Sequence, residues 1–166
     1  EQSKILDTVK SKLIQANTDT TSAGGREAIR KDITKLLTQL DNIAVQTNYN
    51  GTNLLQASRT DTAAKTALSF QVGENSADTI SISAIRANTS GYALATLKGL
   101  GNNALTKTVA ASGQAKVDTA ITTLNGYRGD IGSTQNQIES AVRNLMTQST
   151  NIKNAESVIR DVDYAE

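Results

Sequence analysis

The fold class is decided by one long stretch late in the chain, VDTAITTLNGYRGDIGSTQNQIESAVRNLMTQSTNIKNAESVI (Val117–Ile159). Steps of four and three residues separate its seam positions throughout, and no proline interrupts them. This spacing predicts one face of a long α-helix, about 65–70 Å for about 45 residues. So long a helix with a single apolar stripe needs partner helices along its length. The seam comprises Val117, Ile121, Leu124, Arg128, Ile131, Gln135, Ile138, Val142, Leu145, Ser149, Ile152, Glu156 and Ile159.

Two earlier segments have a pattern that suits such partners. Apolar residues recur at helical spacing in the segment from Glu1 to about Asn17, and again from about Arg26 to near Thr47. The second segment carries Ile29, Ile33, Leu36, Leu40 and Ile43, a heptad-like seam. We therefore predict a mainly α fold, an elongated antiparallel bundle of long, coiled-coil-like helices.

The middle of the chain has a different pattern. Leu68, Phe70 and Val72 alternate with polar residues, as do Ile80 and Ile82, and a loop-like hexapeptide separates the two runs. This alternation predicts two short strands joined as a β-hairpin. Residues 86–113 are rich in Gly, Asn, Thr and Ser and are predicted to be loop, apart from a short helix around 93–98.

Composition excludes several function classes. The 166 residues include no Cys, His or Pro, and the formal net charge is +1. Without Cys and His there is no Ser-His-Asp or Cys-His nucleophile, no Cys/His zinc or haem site and no disulfide. The near-neutral charge argues against nucleic-acid binding, and the apolar runs are too short to span a membrane. We expect a structural or assembly protein without catalysis, cofactor or bound metal.

Two groups of residues can each be interpreted either as purely structural or as part of a functional site. Gly126, Gly129 and Gly132 lie on roughly one face of the long helix, where each costs about 1 kcal/mol relative to Ala. They mark either a weak point or a close approach by another element. Asp161 and Asp163 form a carboxylate pair that, without His or a third acid at ligand spacing, indicates a solvated helix end rather than a metal site.

Three motifs, taken together and in order, resemble those of the bacterial flagellin family. Near the end of the chain stand GSTQNQIES (132–140) and IRDVDYAE (159–166), which are similar to the family's C-terminal core helix. QTNYNGTNLL (46–55) resembles the turn after its second N-terminal core helix, and FQVG (70–73) with DTISI (78–82) resembles its core hairpin. The motif residues are Asn50, Gly51, Gln135, Asn136, Glu139, Asp161, Asp163 and Tyr164.

The resemblance implies a structural subunit of the flagellar filament that acts in motility and is exported and assembled outside the cell. The implied partners are other flagellin subunits and, for the intact chain, an export chaperone and a cap protein. The implied organisation is a single core domain, 1–166, with halves 1–85 and 114–166 joined by a short variable connection, 86–113. Compared with a complete member, the sequence lacks the terminal segments and large outer domains, so we expect this chain to be soluble and largely monomeric.

The resemblance also concerns the Toll-like receptor that senses flagellin in animals. In the family, the receptor contacts an Arg and a Leu on the first core helix, with support from an acid on the second. The matching positions here are Thr8, Lys12 and Asp32. Thr8 lacks a guanidinium, and an ammonium in an apolar contact is costly unless it is paired. The resemblance therefore implies weak or no recognition, as in epsilonproteobacterial flagellins; the alternative is that Thr8 and Lys12 are ordinary solvated positions.

Two other interpretations stay open at this point. The hook–filament junction protein shares the core design, although weaker matches would be expected at the C-terminal motif. An unrelated secreted helical binding module is the alternative without a filament.

Overall fold

A computed structural model of the protein describes residues 1–49, 51–56, 58–62 and 67–165. The chain is mainly helical, as predicted, and contains two small antiparallel strand pairs, one of which is the predicted hairpin. It divides into two compact units. The first unit contains Glu1–Ala67 and Ala84–Arg128, and the second contains Leu68–Ser83 and Gly129–Glu166. Among the described residues, no helix is both long and apolar enough to cross a membrane.

The first unit begins with two antiparallel helices, α1 (Gln2–Ala16) and α2 (Ala23–Gln46). The side-chain oxygen of Ser22 caps α2 by accepting a hydrogen bond from the backbone N–H of Gly25 at 3.0 Å. Because this cap satisfies an N–H group that would otherwise lack a partner in the first turn, α2 begins slightly before the predicted Arg26.

The facing sides of α1 and α2 form much of the core. The predicted seam residues Leu36 and Ile43 are only half-buried, whereas Leu37 and Ala44 are fully buried. An α-helix has 3.6 residues per turn rather than the 3.5 of a heptad, so the buried stripe drifts away from the predicted seam. The buried apolar residues of these helices are Ile5, Leu6, Val9, Leu13, Ala16, Ile29, Ile33, Leu37, Leu40 and Ala44.

A tight turn follows α2, as predicted. Strands β1 (Asn48–Tyr49) and β2 (Thr52–Asn53) pair antiparallel, with Tyr49 opposite Thr52. Gly51 lies in the turn with φ 78°, a left-handed conformation that favours glycine. The other predicted turn residue, Asn50, lies outside the described residues.

Residues 84–106 contain one short helix, α3 (Ala95–Lys98), inside the predicted range. The segment is nevertheless part of the core of the first unit, because several of its apolar side chains are buried. These are Ile85, Ala87, Tyr92, Leu94, Leu97 and Leu105.

The long helix, α4 (Lys107–Ala165), begins ahead of the predicted Val117, so the prediction of loop is wrong for residues 107–113. A Cβ at Gly113 would lie 3.3 Å from both Leu13 methyls, and the glycine thus allows close packing of α4 on α1. The predicted packing against a partner helix is found in this first part of α4, where Ala110, Val117 and Ala120 are buried and Gly113 lies close to Leu13 of α1.

The second unit contains the predicted hairpin. Strands β3 (Leu68–Gln71) and β4 (Thr79–Ile82) pair antiparallel in the register Leu68↔Ile82 to Gln71↔Thr79. Asp78 closes the connection: its backbone carbonyl accepts from the Val72 N–H at 2.8 Å and its Oδ2 accepts from the Asn75 N–H at 3.1 Å.

Candidate functional site

The three residues predicted to face a receptor lie on α1 and α2. The Thr8 hydroxyl is exposed and donates a hydrogen bond to the Lys4 carbonyl oxygen at 2.8 Å. The Lys12 Nζ lies 3.2 Å from the Asp32 Oδ2, an ion pair that joins the two helices. The structure therefore brings two of the three residues together, and the Asp32 carboxylate is engaged within the chain.

Most of the flagellin-like motif residues are exposed on α4. Gln135, Asn136 and Glu139 lie in the middle of the helix, and Asp161, Asp163 and Tyr164 lie near its end. Tyr164 is 90% exposed, and Gly51 is exposed in the β1–β2 turn. Their exposed side chains are available for contacts with other molecules.

The helical glycines have open surroundings. A Cβ at Gly126, Gly129 or Gly132 would meet nothing within 4 Å apart from the neighbouring backbone. Among the described residues, the predicted close approach by another element is therefore not found within this chain. A contact with a second molecule at these glycines stays a prediction.

The described ranges contain no cluster of acidic side chains with metal-ligand geometry. No three or more Asp or Glu residues converge there in a group that could hold a metal ion. Asp161 and Asp163 are exposed side chains on α4, the solvated helix end that the sequence predicts.

A buried carboxylate that the sequence analysis missed fixes residues 84–98 against α2. Asp41 is fully buried. Its Oδ1 accepts from the Thr89 N–H at 2.7 Å, and its Oδ2 accepts from the Thr89 hydroxyl at 2.9 Å and from Lys98 Nζ at 2.6 Å. Buried charges are tolerated when paired and hydrogen-bonded, and Asp41 has three such donors. The helical spacing indicates this burial, because Asp41 follows Leu37 by four residues and so lies on the buried face of α2.

Two buried side-chain amides, of Gln2 on α1 and of Gln56 after β2, also form hydrogen bonds with this segment. The Gln2 Nε2 donates to the Ala87 carbonyl at 2.8 Å and to the Leu40 carbonyl at 3.3 Å, and its Oε1 accepts from the Tyr92 hydroxyl at 2.9 Å. The Gln56 Oε1 accepts from the Ala87 N–H at 2.8 Å. Burial, with a smaller contribution from Tyr127, raises the pKa of the Tyr92 hydroxyl. We call Gln2, Asp41 and Gln56 the polar clamp, because they satisfy the backbone of an otherwise irregular buried segment.

A second, more exposed cluster fixes the next loop. The Arg30 guanidinium forms a bidentate pair with the Glu27 carboxylate at 2.7 and 2.8 Å and donates to the Leu100 carbonyl at 3.0 Å. The Asn103 N–H also donates to Glu27 Oε2, at 2.7 Å. The hydrogen bonds from Arg30 and then from Asn103 lower the pKa of Glu27 to about 2.

The second unit exposes an apolar surface along α4. Ile152, Ile159 and Met146 have 65%, 70% and 65% of their area exposed. One face of this part of α4, including Ala141, Leu145 and Ile152, lines a groove of about 680 Å³ together with the Val72–Asp78 connection. We call the exposed apolar residues along one side of α4 the α4 stripe: Ile131, Val142, Leu145, Ile152 and Ile159. Contiguous exposed apolar surface is typical of protein–protein contact sites.

Comparison with protein-family models finds two matches in this chain. Residues 1–60 match the model described as bacterial flagellin N-terminal helical region. Residues 114–166 match the model described as bacterial flagellin C-terminal helical region. The two matches include α1, α2 and most of α4.

Individual proteins show the same likeness. The chain is 32% identical to the putative flagellin YvzB of Bacillus subtilis, over 78% of this chain and 76% of that protein. It is 29% identical to the flagellar filament 30.7 kDa core protein of Treponema maltophilum, over 99% of this chain but only 59% of that protein. The crystal structure of Bacillus cereus flagellin superimposes with a TM-score of 0.69 at 29% identity, covering 93% of this chain and 83% of that one.

Proposed function

The chain belongs to the bacterial flagellin family, and from this premise we propose that it is a structural subunit of the flagellar filament, acting in motility outside the cell. Flagellins are structural filament proteins and not enzymes. The chain spans about six tenths of the length of the curated relatives that match nearly all of it. The partners proposed for the whole protein are other flagellin subunits, an export chaperone and a cap protein.

The observation that carries this proposal is the α4 stripe. A helix that exposes Leu145, Ile152 and Ile159 in steps of seven presents a continuous apolar edge to its surroundings. Such an edge suits another helix with the same period, since knobs-into-holes packing needs side chains at matching intervals. A filament subunit needs surfaces of this kind for its neighbours, whereas a monomeric protein rarely leaves them open.

We also propose weak or no binding to the flagellin-sensing receptor. Thr8 offers a short hydroxyl, already hydrogen-bonded to its own helix, where the family places a guanidinium. Lys12 offers an ammonium where the family places an apolar side chain, and this ammonium is paired with the carboxylate that would support the contact. The epsilonproteobacterial subgroup stays a prediction.

Seeded polymerisation of the full-length gene product tests the filament proposal. A Leu145→Glu/Ile152→Glu variant places two carboxylates in the α4 stripe. Pelletable filament should fall by roughly tenfold or more, because burying an unpaired carboxylate costs more than the 1.4 kcal/mol that corresponds to tenfold. Both side chains are exposed, at 41% and 65%, so circular dichroism should show an intact fold.

The matched control is Thr147→Glu/Asn154→Glu. It adds the same charges at the same spacing on another face of the same exposed helical segment, and it should polymerise like the unmodified protein. Polymerisation of the stripe variant at the control level would contradict the role of this surface. Unmodified full-length protein that never elongates seeds would contradict the filament proposal itself.

A further inference from the structure

We draw no further inference here: the strongest candidate, the groove of about 680 Å³ in the second unit between the Val72–Asp78 connection and the Ala141–Ile152 face of α4, is an unpartnered apolar face, and nothing in the structure shows what covers it.

Discussion

The Lys12 ammonium lies 3.2 Å from the Asp32 carboxylate and joins α1 to α2 across their exposed edge. Both side chains are partly exposed, so the pair itself contributes little to folding stability. The pair matters for the proposed receptor binding, because a receptor that needs the Asp32 carboxylate must compete with Lys12 for it. In the proposal of weak receptor binding, Lys12 both stands where the family has an apolar side chain and engages the neighbouring Asp32 carboxylate.

Restoring the family's residues should restore receptor signalling. The Thr8→Arg/Lys12→Leu variant gains a guanidinium that can form bidentate contacts and releases Asp32 from its ion pair. Central hot-spot contacts are often worth about 2 kcal/mol or more each, so the gain in apparent affinity should be about a hundredfold or more. A receptor-reporter assay with cells that carry the Toll-like receptor measures it.

Thr122→Arg/Lys116→Leu provides the control for that assay. It makes the same two replacements at exposed positions of α4, and signalling should stay at the level of the unmodified protein. Strong and equal signalling by the unmodified protein and the Thr8/Lys12 variant would show that neither position limits recognition.

Removing the charge of Asp41 should strongly destabilise the first unit. Asp41→Asn keeps the side-chain shape but leaves Lys98 and the Thr89 donors without their carboxylate. The expected loss in the free energy of unfolding is on the order of 3 kcal/mol, measured by urea denaturation. Asp118→Asn, which breaks the exposed pair with Lys10, should cost at most about 1 kcal/mol. Equal losses in the two variants would mean that the polar clamp is not a main determinant of stability.

Lowering the pH should weaken the contact between α2 and the Leu100–Asn103 loop, because it protonates the Glu27 carboxylate. The pKa of Glu27 is lowered from 4.5 to about 2 in the folded protein, so folding favours its ionised form. Its contribution is fully present above about pH 4.5 and is lost as the pH falls toward 2. The stability difference between the unmodified protein and Glu27→Gln should therefore shrink over this interval. A difference that stays constant from pH 6 to pH 2 would count against the pairing with Arg30.

Replacing the three open glycines of α4 by alanine should stabilise the helix. Gly126, Gly129 and Gly132 have space for a Cβ, and alanine is favoured over glycine in a helix by about 1 kcal/mol per position. The thermal midpoint followed by far-ultraviolet circular dichroism should rise. Gly91→Ala should lower it, because a Cβ there would collide with the Arg86 carbonyl oxygen. An unchanged or lower midpoint in the triple variant would indicate that these positions contact something that alanine disturbs.

The sequence by itself predicts the three long helices, the hairpin and the family, although it misplaces the first residues of α2 and α4. α1, α2 and α4 follow from apolar spacing, and the β3–β4 hairpin follows from strict alternation, because these periods are properties of the backbone itself. The turn at Gly51 follows from local chemistry of the same kind. The filament interpretation came from three motifs whose order in the chain needs no tertiary information.

Only the tertiary structure decided which residues of those elements are buried and which partners their buried polar groups bond to. Composition predicts loop for residues 86–113 apart from a short helix, yet Tyr92 and Leu94 are core residues. Asp41 and Gln2, which lie far away in sequence on α2 and α1, form the hydrogen bonds that satisfy this segment. Pairing of Lys12 with Asp32 likewise depends on how α1 lies on α2. Periodicity reports the preferred face of one element, whereas burial and pairing depend on contacts between elements, which local sequence does not encode.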